Sequence, residues 1–266
     1  MRVITLLTDF GASDPYVAET KGAILSRCDE AVIIDITHQV EPYNIKQGAF
    51  LLLLAYKFFP HDTIHVAVVD PGVGTGRRGL VLKTRNYWFI GPDNGILYPA
   101  AADDGLEQYF EIDLEKYPKI GGETFHARDV FGPVAGELAA GLEPAMREVD
   151  VESIVKLEIL ATRFEGDEAQ AEILHIDRFG NVVLNIDESG VPGHLRPGCD
   201  VMIGLGGKQY RARFVKAYGD LPAGSLLITF GGTGLLEIAV SEGNASSLLR
   251  AKPGQKVELR ISPSSQ

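Results

Sequence analysis

Thr63-Ile64-His65-Val66-Ala67-Val68-Val69-Asp70-Pro71-Gly72-Val73-Gly74-Thr75-Gly76-Arg77-Arg78-Gly79 is a β-branched apolar run that ends in an aspartate and opens into a glycine-rich loop. Thr63 to Val69 reads as a buried strand. The element after the loop decides between folds. Gly74, Gly76 and Gly79 satisfy a G-x-G-x-x-G pattern, but a dinucleotide site needs a helix next, and Leu80 to Lys83 and Tyr87 to Ile90 read as strands. The Rossmann reading is rejected. No G-x-x-x-x-G-K-[ST] is present, which removes a P-loop as well.

Outward from that strand, short apolar runs alternate with helical patterns. Val3 to Thr8 and Ala31 to Ile36 are strands; Ser13 or Asp14 is placed to cap a helix with Pro15 at its first position. Asn44 to Phe58 is an apolar helix stopped by Pro60, and Val130 to Ala140 is another. The spacing predicts a three-layer α/β domain over 1–150 with a largely parallel sheet. Asp9 and Asp70 each follow a strand directly, which puts them at the carboxyl-end crevice where such sheets bind ligands. From Val155 the pattern changes to short runs: Val155–Leu160, Ala171–Ile176, Val182–Ile186, Val201–Gly204, Tyr210–Val215, Leu226–Ile228, Leu235–Val240 and Val257–Ile261. These predict an all-β second domain over 155–266, an antiparallel barrel or sandwich, with the boundary near Glu143 to Lys156 and a frayed tail from Ser262 to Gln266.

Composition narrows the function classes. The 266 residues are 45% hydrophobic and 23% charged, which excludes disordered and fibrous classes. A net charge of −11 argues against nucleic acid and anionic membrane surfaces and suits a cationic small molecule. Cys28 and Cys199 stand in no ligand spacing, which excludes a thiolate zinc site and fits a reducing, cytoplasmic setting. The N-terminal apolar run meets Asp9 too soon for a signal peptide, and the longest apolar run, Ala49 to Tyr56, is far short of the roughly 20 residues of a membrane span.

Several segments carry candidate chemistry. Asp70 and Arg77, across a tight loop, can pair at a crevice and hold a water; the plainer reading is a hairpin with exposed arginines. His126, in Thr124-Phe125-His126, stands just before a helix, and its context alone does not separate it from His38, His61, His65, His175 and His194. Asp9, Asp35, His38, Asp70 and His126 could instead be a metal cluster, but no H-x-H, H-E-x-x-H or D-x-D spacing supports it, and the expectation is no metal. In His175-Ile176-Asp177-Arg178-Phe179-Gly180-Asn181, a carboxylate, a ring and an amide can meet an ammonium, a purine face and a purine edge, or simply form a turn. Gly231-Gly232-Thr233-Gly234 and Gly243-Asn244-Ala245-Ser246 let backbone groups approach a ligand.

Taken in order, these segments resemble the S-adenosyl-L-methionine (SAM) hydroxide adenosyltransferases, the adenosine-forming SAM hydrolases related to the SAM-dependent 5′-halogenases. The resemblance runs over nearly the whole chain, through Thr8-Asp9-Phe10-Gly11 with Asp14, Asp35-Ile36-Thr37-His38, Asp70 to Thr75 with Arg77, Gly91-Pro92-Asp93-Asn94-Gly95, Thr124-Phe125-His126, Asp177 to Asn181, and Leu236-Glu237-Ile238-Ala239 with Gly243-Asn244-Ala245. It implies an N-terminal α/β domain, a C-terminal β-barrel, no cofactor, and a homotrimer whose active sites lie between one subunit's N-terminal and its neighbour's C-terminal domain. It implies that Asp70, Arg77 and His126 are catalytic. By the same resemblance Asp9 and Asp14 belong to the substrate site, with Asp9 on the ribose hydroxyls and Tyr43 against the ribose or thioether. Asp177 takes the methionine ammonium, Asn181 with the Asn244-Ala245 backbone the adenine edge, and Phe179 and Tyr218 its faces. The family's usual Asn-Ser in the carboxylate-binding loop is replaced here by Gly231-Gly232, so that Gly232 and Thr233 are left to take that role. Halogenases lack the counterparts of Asp70 and Arg77, and Ala127 stands where fluorinating enzymes use a serine, so hydrolysis to adenosine and L-methionine is expected over halogenation or binding without turnover.

Overall fold

The computed structural model describes residues 2–160 and 162–262; the expectation for the tail beyond Ser262 lies outside them. The chain divides into two compact units between Leu157 and Glu158.

The first unit contains β1 (Val3–Thr8), α1 (Tyr16–Leu25), β2 (Val32–Thr37), α2 (Ile45–Ala55), β3 (Ile64–Val68), β4 (Gly79–Thr84), β5 (Trp88–Pro92), α3 (Tyr98–Asp104), β6 (Leu106–Ile112), α4 (Gly132–Ala139) and β7 (Met146–Glu148). The strands form one sheet in the order β2-β1-β3-β5-β4-β6-β7. Side chains alternate across a strand, and here each face meets helices. Ile4, Leu6, Val66 and Val68 pack with Ile24 of α1 and Val134 and Leu138 of α4. Leu7, Ala67, Leu80, Leu82 and Phe89 pack with Ala49 and Leu52 of α2 and Ala100 of α3. The three-layer α/β architecture is therefore present.

Two local expectations are corrected. The sheet is mixed rather than largely parallel: β1 pairs in parallel with β2 and β3, and β3 with β5, but β4 runs antiparallel to β5 and β6, and β6 to β7. The cause is the short link Arg85-Asn86-Tyr87, which can turn a hairpin but cannot cross over. Neither Ser13 nor Asp14 caps α1. Pro15 holds the cap position with no side-chain bond, and Ser13 Oγ donates to Asp14 Oδ2 at 3.2 Å. Asn44 does cap α2, accepting from Gln47 N at 3.0 Å.

The second unit is a closed barrel of β8 (Glu168–Ile176), β9 (Val182–Asp187), β10 (Asp200–Leu205), β11 (Lys208–Phe214), β12 (Leu226–Phe230), β13 (Leu235–Val240) and β14 (Lys256–Ile261), in the order β10-β11-β12-β13-β9-β8-β14. A short helix, α5 (Ala245–Leu249), follows β13. Period-two burial explains the closure. In β14, Val257, Leu259 and Ile261 point into the apolar interior while Lys256, Glu258 and Arg260 face out. One pair breaks the antiparallel rule, β11 with β12, because 215–225 crosses over instead of turning back. Val155–Leu160, expected as a strand, is not one. The Val155 amide donates to Asp93 Oδ1 at 2.9 Å, and Leu157 packs against the core that includes Ile154, so these contacts take the place of strand pairing there.

Candidate active site

Thr8 of β1 pairs with Val68 of β3 in parallel register, so the chain leaves both strands at the same end and delivers Asp9 and Asp70 together. Both line a cavity of about 700 Å³ with Tyr43 and His126. An aromatic wall of Phe10, Tyr16 and Phe125 forms one side, each pair edge to face with centroids 5.3–6.0 Å apart. The Arg128 guanidinium lies 4.7 Å from the Phe125 ring and is held by Glu19 and Asp129.

The glycine-rich loop is built to return Arg77 onto Asp70. Val73 N bonds to Asp70 O, Thr75 N and Oγ1 bond to Gly72 O, and Gly74 takes φ +76° where a Cβ would lie 3.0 Å from Glu123 O. Asn94, in the turn after β5, donates to Val69 O at 2.8 Å and so fixes the residue before Asp70. Arg77 Nε donates to Asp70 Oδ1 at 3.1 Å and Nη2 donates to Asp70 Oδ2. Arg77 Nη2 also lies 3.1 Å from His126 Nδ1, and Nη1 donates to Arg78 O at 2.7 Å. The Arg77 and Asp70 side chains are 9% and 5% exposed, so this is a buried pair and not a hairpin with exposed arginines.

His126 begins a π-helical turn, Ala127–Phe131, that runs into α4. Gly132 N reaches back to Ala127 O, and a Cβ on Gly132 would press on that oxygen and on Thr20 O. Such one-turn widenings re-aim side chains at functional sites, and here His126 is turned toward Arg77. A guanidinium has no acceptor, so Nδ1 of His126 accepts and its neutral ring carries the proton on Nε2. Nε2 is buried without a hydrogen-bond partner. Burial, and then the charge of Arg77, holds the His126 pKa below its ordinary value; burial raises that of Asp70, against the opposing pull of Arg77 and His126.

The structure also separates the other histidines. His65 is fully buried among Tyr56, Phe59, Tyr87 and Phe89, its Nδ1 is 2.7 Å from Thr5 Oγ1, and burial lowers its pKa to about 3, which makes it a core residue. His194 pairs with Asp167 on the surface. Among the described residues, no group of three or more His, Cys, Asp or Glu is arranged to hold a metal ion. Asp14 does not line the cavity; it is exposed and takes the Ser13 hydroxyl.

The remaining sequence-selected residues belong to the second unit. Asp177 organises its turn: Oδ1 accepts from Phe179 N at 2.9 Å and Asn181 N at 2.8 Å, and Oδ2 from Asn181 Nδ2 at 2.9 Å. Gly180, at φ +87°, leaves its Cβ position to the Asn244 side chain, and its carbonyl accepts from Ser246 N. This joins the 177–181 turn to the start of α5, where Asn244 caps Ser247 N and Ala245 is fully buried. Phe179 is 77% exposed, and Gly232 faces open space. Tyr218 OH donates to Glu237 Oε2 at 2.8 Å, while Thr233 Oγ1 lies 3.5 Å from Oε1.

Glu237 was not selected from the sequence as a site residue. It is 3% exposed, and its pKa is raised, by burial first and then by the negative Asp177. A Cβ on Gly231 would overlap its carboxylate, so glycine there makes room for the acid. The available signal was a lone acid within the apolar run Leu235-Leu236-Glu237-Ile238-Ala239. Phe10, Tyr16, Phe125 and Arg128 were likewise given no role, although Phe10 lies within Thr8-Asp9-Phe10-Gly11 and Phe125 within Thr124-Phe125-His126.

Residues 4–148 match the family described as SAM hydroxide adenosyltransferase N-terminal domain, and residues 171–258 match its C-terminal domain. An (R)-S-adenosyl-L-methionine hydrolase of Thermus thermophilus is 35% identical over 97% of this chain and 100% of its own length. One of Methanocaldococcus jannaschii is also 35% identical, over 97% and 95%. A fluorinase of Nocardia brasiliensis is more distant, at 28% over 69% of this chain and 71% of its own. The crystal structure of an uncharacterized conserved protein from Thermotoga maritima superposes with a TM-score of 0.87 at 36% identity, covering 97% of this chain and 99% of that one.

Proposed function

The chain belongs to the SAM hydroxide adenosyltransferase family, and from that footing we propose that it hydrolyses SAM to adenosine and L-methionine by in-line attack of water on the ribose C5′ carbon. The observation that carries this reading is the buried Asp70-Arg77-His126 set at a cavity. Water attacks opposite the sulfonium, the C5′–S bond breaks, its electron pair stays on sulfur, and methionine leaves as a neutral thioether. As the water becomes hydroxide-like, its charge and that of the sulfonium cancel, which a dry site favours.

The hydrogen bonds support a division of labour. With Nδ1 accepting from Arg77 and the proton on Nε2, His126 donates to the water oxygen rather than taking its proton. Asp70 is the acceptor at the cavity, and its raised pKa brings it closer to the range useful for a base. Arg77 compensates the Asp70 charge and orients both partners, and it does not itself line the cavity.

Asp9 takes the ribose hydroxyls, with Asp14 close by on the same loop, and Tyr43 covers the sugar. In the second unit, Asp177 takes the ammonium, Asn181 and the Asn244-Ala245 segment the adenine edge, and Phe179 and Tyr218 its faces; Gly232 and Thr233 receive the carboxylate. We further propose a homotrimer, in which the 1–150 domain of one subunit and the 155–266 domain of its neighbour share the substrate. The exposure of Tyr43 and Phe179, at 73% and 77%, supports this, since both are aromatic faces without cover in a single chain. Two unpaired cysteines support a cytoplasmic setting, and no helix among the described residues is long and apolar enough to cross a membrane.

Product identification tests the reading. Purified protein with SAM, with and without chloride, yields adenosine and methionine in both cases; 5′-chloro-5′-deoxyadenosine in the chloride arm would establish halogenation instead, and binding without product would establish a sensor. The names of the hydrolase relatives specify the R sulfonium epimer. Both epimers are therefore assayed, with R expected to be the better substrate.

A further inference from the structure

Asp35-Ile36-Thr37-His38 has no part in the proposed reaction, yet its His38 side chain is bonded to the loop that carries Asp9. Lys21 Nζ lies 2.7 Å from Asp35 Oδ2, and His38 Nε2 lies 3.1 Å from Asp35 Oδ1. The other ring nitrogen, Nδ1, is 2.8 Å from Thr8 Oγ1, which also accepts from Phe10 N at 3.2 Å. The Asp35 carboxylate beside Nε2 favours the imidazole proton there, although Nε2 makes no hydrogen bond, and Thr8 O–H then donates to Nδ1. The backbone repeats the connection: Gly11 N donates to His38 O at 2.8 Å and Val40 N to Thr8 O at 3.4 Å. Asp9 thus sits in a turn fastened to His38 on both sides, and its Oδ2 accepts from Tyr43 N at 2.9 Å. Both segments adopt left-handed backbone, Gly11 at φ +69° and Tyr43 at φ +69°. In a tyrosine that conformation persists only where the surroundings impose it.

We propose that His38 and Thr8 are positioning residues: they form an imidazole–hydroxyl relay, with the Asp35 carboxylate beside the ring, that holds Asp9 at the cavity in the orientation that grips the ribose hydroxyls of SAM. This rests on the hydrolase reading. Thr8 is 2% exposed, so its hydroxyl has no water to fall back on, and an apolar residue of the same shape would release His38 and Phe10 N together.

The experiment is steady-state hydrolysis of SAM by Thr8→Val and Thr8→Ser, each alone and with Asp9→Asn, with thermal melts to establish folding. Thr8→Val raises KM about tenfold while kcat stays within about twofold, and Thr8→Ser, which keeps the hydroxyl, stays within about twofold of wild type in both. In the Asp9→Asn background Thr8→Val adds less than about twofold, because the carboxylate it positions is gone. An unchanged KM, a fall in kcat alone, or full additivity with Asp9→Asn overturns the relay while leaving the hydrolase reading intact. If wild-type protein releases no adenosine, the hydrolase reading is what fails. Calorimetric binding of adenosine then judges the relay by the same rule: about tenfold weaker binding for Thr8→Val supports it only if the effect vanishes with Asp9→Asn.

Discussion

Replacing Arg77 by methionine removes the charge while keeping an unbranched apolar chain beside the Phe131 ring, which the guanidinium approaches to 5.4 Å. Both partners of the Asp70–Arg77 pair are nearly inaccessible, at 5% and 9%, which places it among pairs for which deleting one member costs about 3–5 kcal/mol. The stranded Asp70 escapes part of that cost by protonating. Its folded-state pKa is already raised, by burial first and despite Arg77; without Arg77 it rises further. An acid with a raised folded pKa lowers stability as pH rises above its unfolded value, because the folded state must then bury the charge or hold the proton, and the loss is complete above the folded value. Below the unfolded value both states are protonated and the difference disappears. Urea denaturation of Arg77→Met at about pH 5 and about pH 8 is therefore expected to show the larger deficit at the higher pH. Arg77→Lys restores most of the stability but not the activity. A single ammonium cannot hold both Asp70 oxygens and reach His126 Nδ1, and losing one or two charged hydrogen bonds at about 1.5–3 kcal/mol each lowers kcat at least about tenfold. An Arg77→Met protein as stable as wild type at about pH 8, or a deficit independent of pH, would refute this reasoning.

His126→Ala should lower kcat by about a hundredfold or more with little change in KM, measured as adenosine release. Since its pKa is depressed by burial and Arg77, the ring stays neutral to lower pH than an ordinary histidine, and any acid limb due to it falls below about pH 6.5. Gly180→Ala forces a side chain onto φ +87° and places its Cβ 2.2 Å from Asn244 Cγ; calorimetric unfolding should show a loss of about 2–4 kcal/mol, with weaker adenosine binding. Activity should survive treatment with a chelator and dialysis, since the proposed site works through side chains alone; loss that zinc or magnesium restores would contradict it.

Strands were legible where burial writes a period into the sequence. Val3–Thr8 is the same in sequence and structure, and β14 alternates in and out without a break. Val155–Leu160 is not a strand because Leu157 packs beside Ile154 instead of pairing and Val155 is exposed, and nothing local distinguishes the two uses of a leucine. The sheet's direction turns on Arg85-Asn86-Tyr87, a link too short to cross over, which sets a hairpin within the general α/β alternation. Within the site, Asp70, Arg77 and His126 were found through motif and resemblance, and their hydrogen bonds and burial came from the structure. The aromatic wall was not legible because Phe10, Tyr16 and Phe125 come from three separate segments that only tertiary folding brings together. Glu237 was hidden for the opposite reason: a single acid in an apolar strand reads as an outward-facing residue until its burial is seen.

If water attacks C5′ of SAM at Asp70, Arg77 and His126, its oxygen ends up in the product nucleoside. Hydrolysis in ¹⁸O-labelled water, with the products examined by mass spectrometry, tests it most directly. Equimolar methionine and adenosine are expected, with one ¹⁸O in the 5′-hydroxyl of adenosine and none in methionine, and near-complete loss of that product in Asp70→Asn. Unlabelled adenosine, a product other than adenosine, or undiminished labelling by Asp70→Asn would contradict it.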